Sequence, residues 1–151
     1  MNWIVKNNKK TRFQTNLKEV LKPIWKELEF DKCIILDVDF MTNDVIPINF
    51  DHEYFELIYG EFQKLMLSDT QIIWGIFLFI NEDCKIDWSI LNKFSSEDEK
   101  VWTEEYFINE SIMELIAFDS SYTILKIKNN ELSIKFKNYF EKDAIELKKF
   151  K

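Results

Sequence analysis

Ser111-Ile112-Met113-Glu114-Leu115-Ile116-Ala117-Phe118 runs into Asp119-Ser120-Ser121 and leaves through Tyr122-Thr123-Ile124-Leu125-Lys126-Ile127-Lys128. Two apolar runs rich in Ile, Thr and Tyr suit a pleated surface, and Asp and Ser bond their own backbone in turns. The stretch therefore predicts a hairpin. Two strands in succession, with no helix between them, point to an α+β domain with a mixed or mainly antiparallel sheet. Outward from the hairpin, residues 71–80 are nearly all apolar, as in a central strand covered on both faces. Residues 32–40, rich in Ile and Val, and the short segments 2–6 and 144–147 also read as strands. Weaker strand signals lie at 44–49, where Pro47 restricts the strand to an edge, and at 86–90.

Helical periodicity fills the intervals. Leu17, Val20, Leu21, Ile24, Trp25 and Leu28 make one stripe of a helix opening at Thr15, with Pro23 on the opposite face as a kink. Asp51 predicts the N-cap of a second helix with Phe55, Ile58, Tyr59, Phe62, Leu65 and Met66 inward. Ser96 and Glu99 form a capping-box pattern for a short helix to about residue 106, and Asn130 caps a last helix carrying Leu132, Phe136, Tyr139 and Phe140. The expectation is one domain over residues 1–151, with three to four helices on the sheet. No repeat, linker or low-complexity segment interrupts it.

Composition excludes whole function classes. With 2 Gly, the 151 residues cannot build a glycine-rich phosphate loop or a dinucleotide fingerprint, and 1 His cannot make a multi-histidine metal site. A net charge of −7 has the wrong sign for a general nucleic-acid binder, and the single Arg12 weakens any reading that needs bidentate phosphate or base recognition. No cofactor is expected. Cys33 and Cys84 are far apart in sequence and outside any CxxC pattern. Cys33 lies in an apolar run as a small buried hydrophobe, and a reducing cytoplasm is the default compartment. There is no signal-peptide pattern and no apolar run of membrane-spanning length.

Candidate chemistry is sparse. Asp37-Val38-Asp39 ends a hydrophobic strand and resembles the nucleophile motif of haloacid-dehalogenase-type phosphatases and the metal-binding DxD of glycosyltransferases. The phosphatases carry Thr or Val two residues after the second Asp. Here Met41 holds that position, with Thr42 one later, and no downstream GDGxxD-type motif follows. Solvated strand-end carboxylates are the favoured account of the pair. His52 follows the N-cap position without a recognisable nucleophile. A metal-dependent hydrolase using Asp37, Asp39 and His52 is one reading of these residues.

Charge is distributed unevenly. Residues 1–30 carry 7 basic and 3 acidic groups, residues 31–119 carry 5 and 20, and residues 120–151 carry 8 and 4. The middle block is thus −15 between two ends of +4. Within it Glu82, Asp83, Glu97, Asp98, Glu99, Glu104 and Glu105 interleave with Trp88, Trp102 and Tyr106. Of the five tryptophans, Trp25 and Trp74 belong to core patterns, which leaves Trp3, Trp88 and Trp102 as possible interface aromatics. An acidic surface with aromatic anchors suits docking on a basic protein.

Lys, Asn, Ile and Phe together make up 65 residues, against 7 for Gly, Ala, Pro and Arg, the bias of an AT-rich gene. A small, acidic, tryptophan-rich α+β chain of this kind, without catalytic motifs, resembles the immunity proteins of bacterial toxin–immunity systems, including those of contact-dependent inhibition and other polymorphic toxins. The resemblance lies in the character of the whole chain and transfers no individual residue. It implies cytoplasmic residence and neutralisation of a cognate toxin domain, often a basic nuclease, by protein binding. A small regulatory or scaffold module is the alternative of nearest kind.

Overall fold

The computed structural model describes residues 1–6, 15–48 and 53–150. Seven strands form one sheet in the order β3-β2-β4-β5-β6-β1-β7. They are β1 (Asn2–Val5), β2 (Lys32–Thr42), β3 (Tyr54–Ile58), β4 (Thr70–Ile80), β5 (Met113–Phe118), β6 (Tyr122–Ile127) and β7 (Ala144–Glu146). Every pairing is antiparallel. The hairpin forms as its composition dictates, Phe118 opposite Tyr122 and Met113 opposite Ile127. Asp119 and Ser120 take left-handed φ values of 51° and 56° in the turn, a conformation that short polar side chains tolerate.

Three helices cover one face: α1 (Leu17–Leu21), α2 (Tyr59–Leu67) and α3 (Asn130–Phe140). Leu17, Val20, Leu21, Phe62, Leu65 and Phe136 pack there against Ile35, Phe77, Phe79, Leu115 and Leu125 of the sheet. Strand β4 is central and covered on both sides, with Phe77 and Phe79 facing the helices and Ile76 and Leu78 facing the other way.

Several elements depart from their expected form. The regular helix α1 ends at Leu21 instead of kinking through Pro23, which has no N–H to donate to Glu19. Beyond it the chain coils on in turns held by Trp25 N–H to Leu21 O (2.8 Å) and Leu28 N–H to Ile24 O (3.0 Å). The apolar stripe still lands inside. The cap is Asn16, whose Oδ1 accepts the Glu19 N–H at 3.0 Å. Thr15 instead gives its hydroxyl to the Ile72 carbonyl.

The expected second helix is a strand followed by a helix. Phe55 and Leu57 are buried while Glu56 and Ile58 are exposed, so period 2 holds until α2 begins at Tyr59. Asp51, Asn49 and His52 lie outside the described residues. The described part of 44–49 and the segment 86–90 are not strands. The capping-box helix is a single 3₁₀ turn, Glu99–Trp102, capped by Asp98. The cap of α3 is Asn129, one residue early, accepting the Glu131 and Leu132 N–H groups at 2.9 and 3.2 Å. Trp25 and Trp74 are half-buried, whereas Trp3 is buried with its indole N–H on Ser133 Oγ at 2.9 Å. Cys33 and Cys84 are both free.

Among the described residues, no α-helix lies on the second face of the sheet. Residues 81–112, which join neighbouring strands β4 and β5, leave the sheet and fold back over it as an irregular layer with two short 3₁₀ turns. Leu91, Val101, Phe107 and Ile108 of this excursion cover Ile34, Leu36, Ile76, Leu78 and Ile116. The sheet is therefore sandwiched between helices and a loop layer.

Candidate functional site

A layer without regular hydrogen bonding must be held by other means, and three polar devices hold the excursion. The deepest uses Glu114 and Lys126, opposite each other on β5 and β6 and both fully buried. Glu114 accepts the Phe107 N–H (2.8 Å), the Ile108 N–H (3.0 Å) and the Ser111 hydroxyl (2.8 Å). Lys126 Nζ donates to the carbonyls of Lys100 (2.9 Å) and Glu105 (2.5 Å). Both charges thus reach up from the sheet into the backbone of the loop: Glu114 accepts from two N–H groups, and Lys126 donates to the Glu105 carbonyl and to that of Lys100, which also accepts the Thr103 N–H of its own turn.

The second device is at Asp37. A bulge sets Asp37 and Val38 of β2 against Gly75 of β4, with Asp37 at a left-handed φ of 49°. A Cβ on Gly75 would stand 3.3 Å from Val38 Cγ2 and 3.1 Å from the Phe77 ring, so a side chain here would press on both neighbours. Asp37 Oδ2 accepts both the N–H and the hydroxyl of Ser96, at 2.8 and 2.7 Å. The third is Asn2 Nδ2, donating to Glu104 at 2.8 Å. Ser96 therefore anchors the loop instead of capping a helix, and Asp37 performs structural work. Asp39 is exposed. Among the described residues no group of three or more His, Cys, Asp or Glu could hold a metal ion.

Burial acts on both buried charges. It raises the Glu114 pKa, opposed by its three hydrogen bonds and by Lys126. It lowers that of Lys126 from 10.5 to about 8, opposed by Glu114 and Glu104. A neutral amine keeps two N–H groups for the two carbonyls. The unfolded chain holds the Lys126 proton up to about pH 10.5 and the folded chain releases it near 8, so between these values the unfolded state binds more protons. Stability should therefore rise with pH across that window, by at most about 1.4 kcal/mol per pH unit. Tyr106, whose hydroxyl burial and the nearby Glu114 push above its ordinary value of 10, opposes this at higher pH. Urea denaturation of wild type and Lys126→Met at a series of pH values checks the assignment; a rise that persists in the variant would refute it.

The sequence candidates for partner binding all lie on this one segment. Glu82, Asp83, Trp88, Glu97, Asp98, Glu99, Glu104 and Glu105 are exposed, and Trp102 and Tyr106 are half-buried. Glu82 N–H meets the Asp31 carboxylate (2.7 Å) at one end of the sheet, while Trp102 packs at the other on Phe118, Tyr122 and Phe150, with ring centroids 4.9–6.0 Å apart. Trp102 is thereby committed to packing. Tyr106 lies under the Lys128 ammonium, 4.7 Å from its ring centre. Trp88 is the exposed aromatic of the set, 41% accessible and stacked on Tyr54 at 5.1 Å.

The excursion holds nine acidic and three basic residues, net −6, whereas residues 15–30, α2 and α3 on the opposite face together hold five and six, net +1. Sequence reasoning did not single out Glu114 and Lys126. Their signal was present: each is a lone charge within an apolar strand, and the turn at 119–121 places them opposite one another.

No helix among the described residues is long and apolar enough to cross a membrane. No family model matches the chain, and no curated protein or solved structure matches it significantly.

Proposed function

We propose that this chain is a protein-binding inhibitor of the immunity type, acting in the cytoplasm. It would occupy a basic surface of a cognate toxin domain, with a nuclease as the class that best fits, and block access of nucleic acid. The observation that carries this reading is the polarity of the sandwich: net −6 on the loop layer against net +1 on the helical face. Fields of one sign on one face steer a partner of opposite sign and select its orientation. Trp88, exposed among the carboxylates, supplies the kind of rigid apolar anchor that dominates interface energies. Pinning of the layer by Glu114 and Lys126 lowers the ordering cost of binding.

The test is binding to the toxin-like domain encoded immediately upstream. Glu82, Glu97, Glu99 and Glu105 replaced together by Lys should slow association about 10–100-fold at low salt, the difference shrinking as salt is added. Trp88→Ala should act mainly on dissociation, weakening the complex by about 2 kcal/mol. Unchanged association of the fourfold variant would reject the acidic face. A basic partner with no toxic activity would favour the regulatory-module reading instead.

A further inference from the structure

The helical face carries a groove of its own. It opens between α1, the turns that continue it and the C-terminal end of α2, with a volume of about 360 Å³. Trp25, Met66 and Leu67 supply its apolar surface, and most of the exposed lining is apolar. The floor is fixed in place. Trp25 is half-buried, stacks on Tyr59 at 5.1 Å and meets the rings of Phe62 and Phe30 at 5.8 and 6.0 Å. Leu67, the last residue of α2, is 56% exposed. The other wall is a row of cations. Lys18, Lys22 and Lys26 follow at four-residue spacing, which sets them along one side of a helical coil at about 6 Å per step. All three are exposed, and among the described residues none enters an ion pair. Three cations against Glu19 leave the lining at net +2, in a chain of net −7. The next carboxylate along, Glu27, is taken by Lys135 at 2.6 Å.

An apolar floor beside a line of unpaired lysines selects its occupant by chemistry. A ligand with a single carboxylate needs one cation. Three cations spread over about 12 Å match carboxylates repeated once per turn of a helix. We infer that this groove docks an acidic amphipathic helix of a partner protein. The helix sets apolar side chains at i, i+3 and i+4 on Trp25, Met66 and Leu67, and holds its Glu or Asp residues against Lys18, Lys22 and Lys26. The lysine stems extend the apolar wall while their ammonium groups stay in water, and the unbranched Met66 adapts to what it meets. The groove lies on the face opposite the loop layer and selects the opposite charge. It is a second docking surface, and it does not depend on the basic-partner reading above.

The test uses the full chain, labelled at its Met and Leu methyl groups, with three probes at low salt. These are a blocked peptide of four helical turns with Leu along one stripe and Glu on both flanks, the same peptide with Gln for every Glu, and octanoate. The Glu peptide should give saturable shifts of the Met66 and Leu67 methyls, with a dissociation constant of about 0.1–1 mM, and gain helicity as it binds. Met1, 53% exposed at the start of the chain, should not respond. Lys18→Gln, Lys22→Gln and Lys26→Gln together should weaken the Glu peptide about five- to tenfold and leave the Gln peptide unaffected. An unchanged methyl signal from Met113, buried in the core, verifies that this variant is folded. Leu67→Ser should weaken both peptides. Glu-peptide binding that survives the triple substitution, or shifts that never saturate, would overturn the proposal. Octanoate saturating the same methyls as tightly as the Glu peptide would also overturn it, in favour of a single-headed amphiphile.

Discussion

Glu114→Ala should cost about 3–5 kcal/mol of folding stability, measured by urea denaturation at neutral pH. The substitution removes one side chain but leaves three donors without an acceptor: the Phe107 and Ile108 N–H groups and the Ser111 hydroxyl. It also leaves Lys126 buried without the charge that partly offsets its desolvation. A buried ion stripped of its partner is far more costly than the intact pair is stabilising. The loss should be local before it is global. Amide exchange at Phe107 and Ile108 should accelerate by orders of magnitude while that of Phe77, on the central strand, follows global stability only. Glu114→Gln keeps one acceptor oxygen and should recover part of the loss. A change below about 1 kcal/mol for the alanine variant would mean that these groups find other partners.

Phe79→Ala should be comparably damaging through a different mechanism, at about 3–5 kcal/mol. Phe79 is fully buried on β4, between Cys33 of β2 and Met113 of β5. Its ring meets the edges of Phe30 and Phe62 at centroid separations of 5.0 and 5.1 Å. Truncation opens a cavity where helix α2 and the turns after α1 meet the sheet, and packed aromatic neighbours collapse poorly into such a space. Phe79→Leu, which conserves most of the volume, should cost only about 1–2 kcal/mol. For a domain with about 5–15 kcal/mol in total, the alanine variant approaches unfolding. Thermal melts of the two variants beside Trp88→Ala, whose exposed ring should change stability by less than about 1 kcal/mol, would separate core from surface.

What was legible in the sequence follows from where physical periodicity was strong. Strand β4 and the β5–β6 hairpin are readable because a central strand is apolar on both faces and because Asp119-Ser120-Ser121 has turn chemistry. Residues 53–58 were misread because Phe55, Ile58 and Tyr59 fit a helical stripe, while the alternation of Phe55 and Leu57 that actually governs them spans only one short strand. Pro23 was expected to bend a helix. In a helix only five residues long, too few regular hydrogen bonds precede the proline to carry the helix past it. The excursion was least legible. Its anchoring hydrogen bonds go to Lys126 and Asp37, which are distant in sequence, and to Glu114, which is nearby but at spacings that match no helix or strand repeat. The acidic residues could be identified as a block in sequence, and the structure adds that Glu82, Asp83, Glu97, Asp98, Glu99, Glu104 and Glu105 are exposed on one segment between β4 and β5.

The position of β1 has a consequence for how the chain reaches this state. Its register partners are on β6 and β7, with Trp3 opposite Leu125 on one side and Glu146 on the other. Strand β1 is thus far in sequence from both of its neighbours, and closing so long a loop is entropically slow. The sheet from β2 to β6 can assemble first, with the loop layer settling on it, and β1 then slots between β6 and β7. Asn2, carried by that strand, brings the final hydrogen bond to Glu104. The tie between Asn2 and the loop layer therefore forms only after the sheet has closed around β1, so the layer gains this anchor late in folding.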